Sequence, residues 1–594
     1  MRNFKEIISE KTIQALQELY GKTTDAEKIQ IQETRRDFEG DYTLVVFSLL
    51  ALSGKAPAEM AEEMGGYLKA ITPEIEDYNV VTGFLNLSVS KNYWESVFEN
   101  IYKQKKYGLQ KDQDKKIVIE FSSPNTNKPL HLGHMRNNFL GDSVSNLLQA
   151  VGNDITKVNL VNDRGIHICK SMLAWQELAD GETPKDAGVK GDKFVGKYYV
   201  LFNEELKKQK EKLMAEGLSE KEAETEAPWN KKARSMLRRW ERGHKKTREL
   251  WNKMNDWVYE GFDKTYATLG IEFDKIYHES ETYLMGKDIV LNALKTGELN
   301  QKEDSTVYLD LSEYGMDEKV LLRSDGTTVY ITQDIGSAVV RYEDFKFDES
   351  IYVVGNEQDY HFKVLSIVLD RLEYPWSNKI SHLSYGMVEL PEGKMKSREG
   401  TVVDADDLIL EMINTAKTAS EESGKLQELS DEEKKDVYRK ISLAALKFFI
   451  LKVDPQKNMV FNPKESIDFN GHTGPFLQYA YVRIQSLLKK AEAQNLMPNA
   501  DSNIAISQNE VELVKSLYNY PEIIKNSADR RNPAVLANFL YELAGAYNKY
   551  YHETQILKEE NDAFRNFRIF LSEKTGSILK SGLSILGIEV PERM

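Results

Sequence analysis

The stretch Ile117-Val118-Ile119-Glu120-Phe121-Ser122-Ser123-Pro124-Asn125-Thr126-Asn127-Lys128-Pro129-Leu130-His131-Leu132-Gly133-His134 decides the fold. Its β-branched opening reads as a buried strand. Beyond it, Leu140, Val144, Leu147, Leu148 and Val151 recur on one face of a 3.6-residue period, so a helix should start near His134. Strand, loop and helix in that order put the loop beyond a strand's carboxyl end, where open parallel sheets bind ligands. The helix start offers unpaired N–H groups and about half a positive charge to an anion. Two histidines there suit a phosphate, and Gly133 between them leaves room for a flat ring, such as a nucleobase, to reach the backbone. Their i, i+3 spacing also fits a metal or a structural pair. With no cysteine nearby and no H-E-x-x-H pattern, phosphate contact is preferred.

A second cluster, Gly393-Lys394-Met395-Lys396-Ser397-Arg398-Glu399-Gly400-Thr401, follows the strand-like Leu383 to Leu390. Cations bracketed by glycines can be ordinary loop charges. Their place after a late sheet strand favours pyrophosphate stabilisation instead. Phosphoryl and nucleotidyl transfer need mainly positioning and neutralisation of charge, and these two elements can supply both.

His131-Leu132-Gly133-His134 resembles the H-I-G-H signature, and Lys394-Met395-Lys396-Ser397-Arg398 the K-M-S-K-S loop, of class I aminoacyl-tRNA synthetases. Glu120 to Asn125 with Lys128-Pro129, Arg323 to Asp334, Gly474 to Ala480 and the ending Leu586 to Met594 narrow the resemblance to the arginyl-tRNA synthetase family. The poorest match runs from about Gln176 to Ile271.

That resemblance implies ligation of L-arginine to tRNA(Arg) through an arginyl-adenylate, with ATP as substrate, Mg2+ carried by ATP and no protein-bound zinc. It implies catalytic roles for His131, His134, Lys128 and Lys394, and ATP contacts from Pro129, Leu130, Gly133, His361, Met395, Lys396 and Ser397. Arginine would be held by Glu120, Ser122, Asn125, Tyr330, Asp334 and Gln358. Ser397 stands where the signature loop has its second lysine, and some members with that departure carry a lysine just ahead of H-I-G-H, as Lys128 is here. Read without the resemblance, Asp334 serves equally as an N-cap for the helix through Ile335 and Val339. His361 likewise has a structural reading. Arg164, in Asn162-Asp163-Arg164-Gly165, stands where the family more often has an aromatic and receives no role.

At 594 residues the chain exceeds one hydrophobic core, and about 150 residues per domain suggests several units. No apolar run reaches the ~18 residues of a membrane span, and the chain start lacks a signal peptide's apolar segment. A cytoplasmic monomer is expected. Cys169 is the only cysteine, which excludes internal disulfides and zinc sites built from several thiolates; it reads as a buried structural thiol. The net charge of −15 counts against nucleic-acid binding, but only the local patch must be positive. Lys231 to Arg248 holds nine Lys or Arg and one acid, after an acidic run from Glu216 to Glu226. A self-paired hairpin and an RNA-facing patch fit this equally.

The expected class is α/β: a class I Rossmann-type parallel-sheet catalytic domain at 109–465, interrupted between its two halves by the charged helical insertion at about 176–271. It is flanked by an α+β N-terminal tRNA-contact domain at 1–108 and an all-α anticodon-binding bundle at 466–594. Strands are expected at Val80 to Val89, Ile155 to Val161, Thr328 to Ile331, Ile351 to Val354 and Ser381 to Val388. After Pro533 a helix should put Leu536, Phe539, Leu540, Leu543, Ala546, Tyr547 and Tyr550 on a broad apolar stripe. Two rival classes remain: a catalytically silent RNA-binding relative, disfavoured because His131, His134 and Lys394 are all present, and a small-molecule nucleotidyltransferase, which has no use for the flanking domains. Cysteinyl and glutamyl synthetases are the nearest rivals for substrate.

Overall fold

The structure, a computed structural model, describes residues 3–35, 37–104, 106–110, 113–389, 403–423, 426–462, 466, 468, 471–499 and 507–594. Lys394, Met395, Lys396, Ser397 and Arg398 therefore lie outside the described residues. Chain contacts gather into two compact units. One comprises Met1–Tyr107, Leu487–Tyr520 and Ala546–Ile578; the other comprises Gly108–Ser486, Pro521–Gly545 and Leu579–Met594.

In the first unit, an antiparallel sheet runs in the order Gln30–Glu33, Tyr42–Val45, Phe84–Val89, Ile75–Val81. The expected strand from Val80 to Val89 is strand over most of its length but not one strand: Val80 and Val81 end Ile75–Val81, and Phe84–Val89 runs back antiparallel to it after a turn at Thr82 and Gly83. Thr82 and Gly83 both take positive φ, the geometry of a tight two-residue turn, and a side chain at 83 would collide with Pro57. Tyr518 knits the unit together: its hydroxyl accepts from the Phe4 N–H at 2.7 Å and bonds the Tyr93 hydroxyl at 2.8 Å.

The second unit is built on five parallel strands ordered Ile380–Tyr385, Glu349–Gly355, Lys116–Glu120, Asp154–Val161, Lys275–His278. Chain order reverses between Lys116–Glu120 and Glu349–Gly355, so the switch-point crevice opens beyond Glu120 and Gly355. The helix Leu132–Ala150 returns along this sheet, burying Met135, Phe139, Leu140, Val144 and Leu147. The charged helical segment lies between Asp154–Val161 and Lys275–His278, the second and third strands of this sheet in chain order, inside one half of the sheet and not between the halves.

Two further expectations change. Thr328 to Ile331 is a helix start: Tyr330–Phe345 begins there with Val329 as its cap. Its β-branched residues suggested a strand, but Ile331, Ile335 and Ala338 recur at helical spacing and pack into the core beside Val118 and Val158. The strand expected to reach Val388 stops at Tyr385. Gly386 turns away there, donating to the Pro455 carbonyl at 2.8 Å, and Val388–Glu389 pairs instead with Met459–Val460. Among the described residues, the last four helices start at Gly474, Gln508, Pro533 and Asp562; of the expected stripe Leu536, Leu540, Leu543, Tyr547 and Tyr550 are buried, while Phe539 and Ala546 are half-buried.

Candidate active site at the switch point

Strand Lys116–Glu120 ends in a backbone few residues adopt: Ser122 and Ser123 take φ of 81° and 46°. Two buried asparagines hold it. Asn137, on the signature helix, accepts from the Ser122 N–H at 2.5 Å, and Asn159 accepts from Ser123 at 3.0 Å. Asn137 also donates to the Val353 carbonyl at 2.7 Å and the Tyr385 hydroxyl at 3.1 Å, joining three strand ends. In this turn the Ser122 hydroxyl points inward, 2.7 Å from the Tyr266 hydroxyl. Ser122, expected to contact arginine, is thus buried, 5% exposed, with its hydroxyl already engaged by Tyr266.

The signature histidines cap their own helix. His131 Nδ1 accepts the Gly133 N–H at 3.1 Å, and His134 Nδ1 accepts the His131 N–H at 3.1 Å. The flat ring for which Gly133 leaves room is His131's own, since a side chain at 133 would sit 3.0 Å from its Cε1. Burial pushes His131 down to about 3 and His134 well below its ordinary value, and the Lys128 ammonium adds to both. Both rings are thus neutral at pH 7. With each Nδ1 accepting, the single ring proton sits on Nε2, so each presents an N–H donor. A metal ligand would need a lone pair at that position, so the phosphate reading gains over the metal one.

Lys128 is half-buried beside them, its pKa lowered by burial. The Leu132 N–H donates to the Val403 carbonyl at 3.2 Å, and Ala405 N–H to Leu130 at 3.0 Å, so the chain that leaves the cationic loop pairs directly with Leu130 and Leu132. Arg136, 1% exposed, donates to the carbonyls of Met387, Pro455 and Lys457 and fixes the chain entering that loop.

The acidic side of the crevice comes from two helices, Glu279–Thr296 and Tyr330–Phe345, which cross in contact. A Cβ at Gly286 would lie 1.8 Å from the Thr332 carbonyl oxygen, and one at Gly336 would lie 2.6 Å from the Gly286 nitrogen. That approach brings Glu279 near Asp334. Burial, opposed by Arg164 and aided by Asp163 and Asp334, raises the Glu279 carboxyl to about 7. Glu279, Asn125, Tyr330 and Gln333 line a cavity of about 730 Å³, together with Arg234 and Arg238 of the insertion. Tyr330 is 77% exposed at its edge. Gln358 stands exposed beyond Gly355.

His361 Nε2 lies 2.5 Å from Asp334 Oδ2. Its expected contact was ATP; here it braces the carboxylate expected to hold the guanidinium. Glu120, expected to hold a cation of the substrate, is paired with the buried Arg341 and accepts from the Ser123 hydroxyl at 3.1 Å. The charge blocks divide. Lys210 pairs with Glu220 and Glu224, Lys231 with Glu226 and Lys232 with Glu177, whereas Arg234 and Arg238 face the cavity. Arg164 stacks 3.8 Å over Tyr283 and pairs with Glu241 and Glu279. Cys169 is buried, its thiol pushed up to about 12, as a structural thiol should be.

Three family descriptions match the chain: "tRNA synthetases class I (R), catalytic domain" over 96–463, "DALR anticodon binding domain" over 477–594 and "Arginyl tRNA synthetase N terminal domain" over 4–89. The arginine–tRNA ligase of Parabacteroides distasonis is 52% identical over 586 residues, 98% of each chain. The chain belongs to the arginyl-tRNA synthetase family. The arginine–tRNA ligase of Bacteroides fragilis is likewise 52% identical over 98% of each chain. In fold, the chain matches the Thermus thermophilus arginyl-tRNA synthetase with a TM-score of 0.80 at 24% identity, covering 100% of both. Within this synthetase framework, sequence reading passed over Glu279, Arg341, Asn137 and Arg136. For Glu279, the signal available was a carboxylate one residue after the strand Lys275–His278, at the mouth of the sheet.

Proposed function

We propose that the protein is an arginine–tRNA ligase that joins L-arginine to tRNA(Arg) for protein synthesis. The observation that carries the arginine assignment is the acidic crevice, where Glu279 and Asp334 stand beside a cavity edged by Asn125 and Tyr330. A guanidinium keeps its charge and presents a planar fork of five donors, which two carboxylates can satisfy and a lysine ammonium cannot match. Asp334, braced by His361, takes the fork; Tyr330 packs along the side chain; Asn125 and Gln358 hold the ammonium and carboxylate end.

In the first step an arginine carboxylate oxygen attacks the α-phosphorus of ATP, and pyrophosphate leaves with the electron pair of the broken P–O bond. The Nε2–H groups of His131 and His134 donate to the phosphate oxygens as charge builds on them, and Lys128 adds a full positive charge. Pro129, Leu130 and Gly133 form the floor for ATP, and Lys394, Met395, Lys396 and Ser397 complete its phosphate site. Mg2+ arrives with ATP as part of the substrate. In the second step a terminal ribose hydroxyl of the tRNA attacks the arginyl carbonyl carbon, and AMP leaves. Arg234 and Arg238 supply the positive lining that the incoming 3′ end requires.

Residues 1–108 serve as the tRNA-contact domain, 109–465 as the catalytic domain and 466–594 as the anticodon-binding domain. The protein acts as a cytoplasmic monomer; no helix among the described residues is long and apolar enough to cross a membrane. The test is pyrophosphate exchange into ATP across all twenty amino acids, with and without total tRNA. Exchange with arginine alone, dependent on tRNA, is expected. Exchange with another amino acid overturns the pocket assignment, and none at all favours a silent RNA-binding relative.

Glu279 adds a pH signature. Its carboxyl, raised to about 7, holds its proton below that pH, and a bound guanidinium favours the ionised form. The KM for arginine should therefore rise as pH falls from 8 to 6, by up to about tenfold per unit. Glu279→Gln should flatten the profile at a uniformly higher KM; a variant profile that keeps the wild-type slope would assign the titration elsewhere.

A further inference from the structure

A second cavity, of about 910 Å³, lies among the helices of the insertion and shares Ile166, His167, Arg234 and Leu237 with the arginine cavity. Lys170, Lys207, Lys210 and Arg234 line it, against Glu211, Glu220 and Glu224. Two of those acids come from one short helix, Glu220–Glu226, and without them Glu211 alone would face the cations. A cationic groove adjoining the pocket where a tRNA 3′ end must arrive suits a phosphate backbone.

The helix that supplies the acids is lightly held. It has seven residues, too few to stand alone, and buries only Ala223. Ser219 and Glu222 cap it reciprocally, which leaves Glu220 and Glu224, four residues apart, on one face. Both reach the Lys210 ammonium, at 3.1 and 3.5 Å. The glutamates are 77% and 54% exposed, so water and salt screen these pairs and they add little to stability. Lys207 and Arg234, which also line the cavity, have no ion-pair partner among the described residues. A phosphate makes strong charge-assisted bonds to an ammonium, but here it must first displace the glutamates. A strand tethered by its 3′ end in the arginine cavity does so at high effective concentration, whereas free RNA does not. We propose that the second cavity takes the phosphate backbone of the tRNA 3′ strand, and that Glu220 and Glu224 are specificity-determining residues that hold Lys210 against other RNA until that strand displaces them. This inference rests on the tRNA reading above.

The experiment uses the full chain and reads binding of a labelled oligouridylate, a single strand without tRNA shape, over a salt series in the absence of ATP and arginine. Glu220→Gln with Glu224→Gln is expected to tighten binding about tenfold. It should also steepen the slope of log affinity against log salt by about 0.7, the increment for one more phosphate of a single strand. Glu204→Gln with Glu216→Gln makes the same charge change on exposed glutamates outside the cavity and should alter neither quantity. Adding Lys210→Gln to the cavity pair should return both to wild-type values. In the wild-type background, Lys210→Gln should raise the KM for tRNA about fivefold in arginylation of total tRNA and leave the KM for ATP unchanged. Equal tightening by the control pair, an unchanged salt slope, a gain that survives Lys210→Gln, or an unchanged KM for tRNA overturns the proposal. Ion pairs that served only the fold would lose thermal stability and gain no RNA affinity. If a thermal melt shows the Lys210 variants unfolded, the slope and the control pair still decide. Failure of the wild type to arginylate total tRNA would instead overturn the reading beneath it, since oligouridylate binding is scored without the reaction.

Discussion

Asparagine in place of His134 is expected to cut kcat for arginine-dependent pyrophosphate exchange by about 10²- to 10³-fold with little change in the KM for ATP. The variant separates two duties of one ring. His134 Nδ1 accepts the His131 N–H at the head of the helix, and an asparagine Oδ1 is a good replacement for that acceptor. What asparagine lacks is reach: no donor remains where Nε2–H stood. The fold and the cap survive, so a thermal melt should move little. The loss should fall on the transition state, where the phosphate oxygens carry the most charge. A His134→Asn protein with wild-type kcat would show that this proton makes no contact as the reaction proceeds.

Alanine at Lys128 should be comparably damaging, with exchange reduced by about 10² to 10³, the scale of losing one preorganised charge-stabilising donor. The position is unusual for a lysine, half-buried and near enough to lower the pKa of both histidines. Burial costs an ammonium part of its hydration, and on the proposed reading the ATP phosphates would return that loss. Ser397 stands where the signature loop has its second lysine, and on the proposed reading Lys128 supplies the charge that this position lacks. A reduction below tenfold would refute that compensation and return the burden to Lys394 and Lys396.

The strand–loop–helix reading of residues 117–134 carried over into the structure because its cues are local: β-branched residues, then a 3.6-residue period, with histidines at the junction. Residues whose roles depend on distant partners were not legible. Glu279 and Asp334 are far apart in sequence and meet only because two helices touch at Gly286 and Gly336. Arg341 lies on the helix expected through Ile335 and Val339, and nothing local marks its partner as Glu120. Nor does the motif around Ser122 show that its backbone takes a positive φ or that its hydroxyl meets Tyr266, 144 residues on. At Thr328 to Ile331 β-branched propensity pointed to a strand, and packing against the sheet decided for a helix. The insertion's charges could not be divided by composition, because the pairing that neutralises Lys231 and Lys232 and spares Arg234 for the cavity depends on which helix face each occupies.

The switch point also sets a schedule for the nascent chain. Lys116 donates its backbone N–H to Asp348, 232 residues further on, and strand Glu349–Gly355 closes beside Lys116–Glu120 in the same place. At elongation rates of about 5 to 20 residues per second that interval is roughly 10 to 50 s. Through it, Ile117, Val118 and Ile119 present an open edge of apolar strand on the ribosome, the kind of edge that invites pairing with other chains. The two halves of the crevice are therefore made at different times, and the first half depends on its own helices, or on a chaperone, for cover until the second arrives.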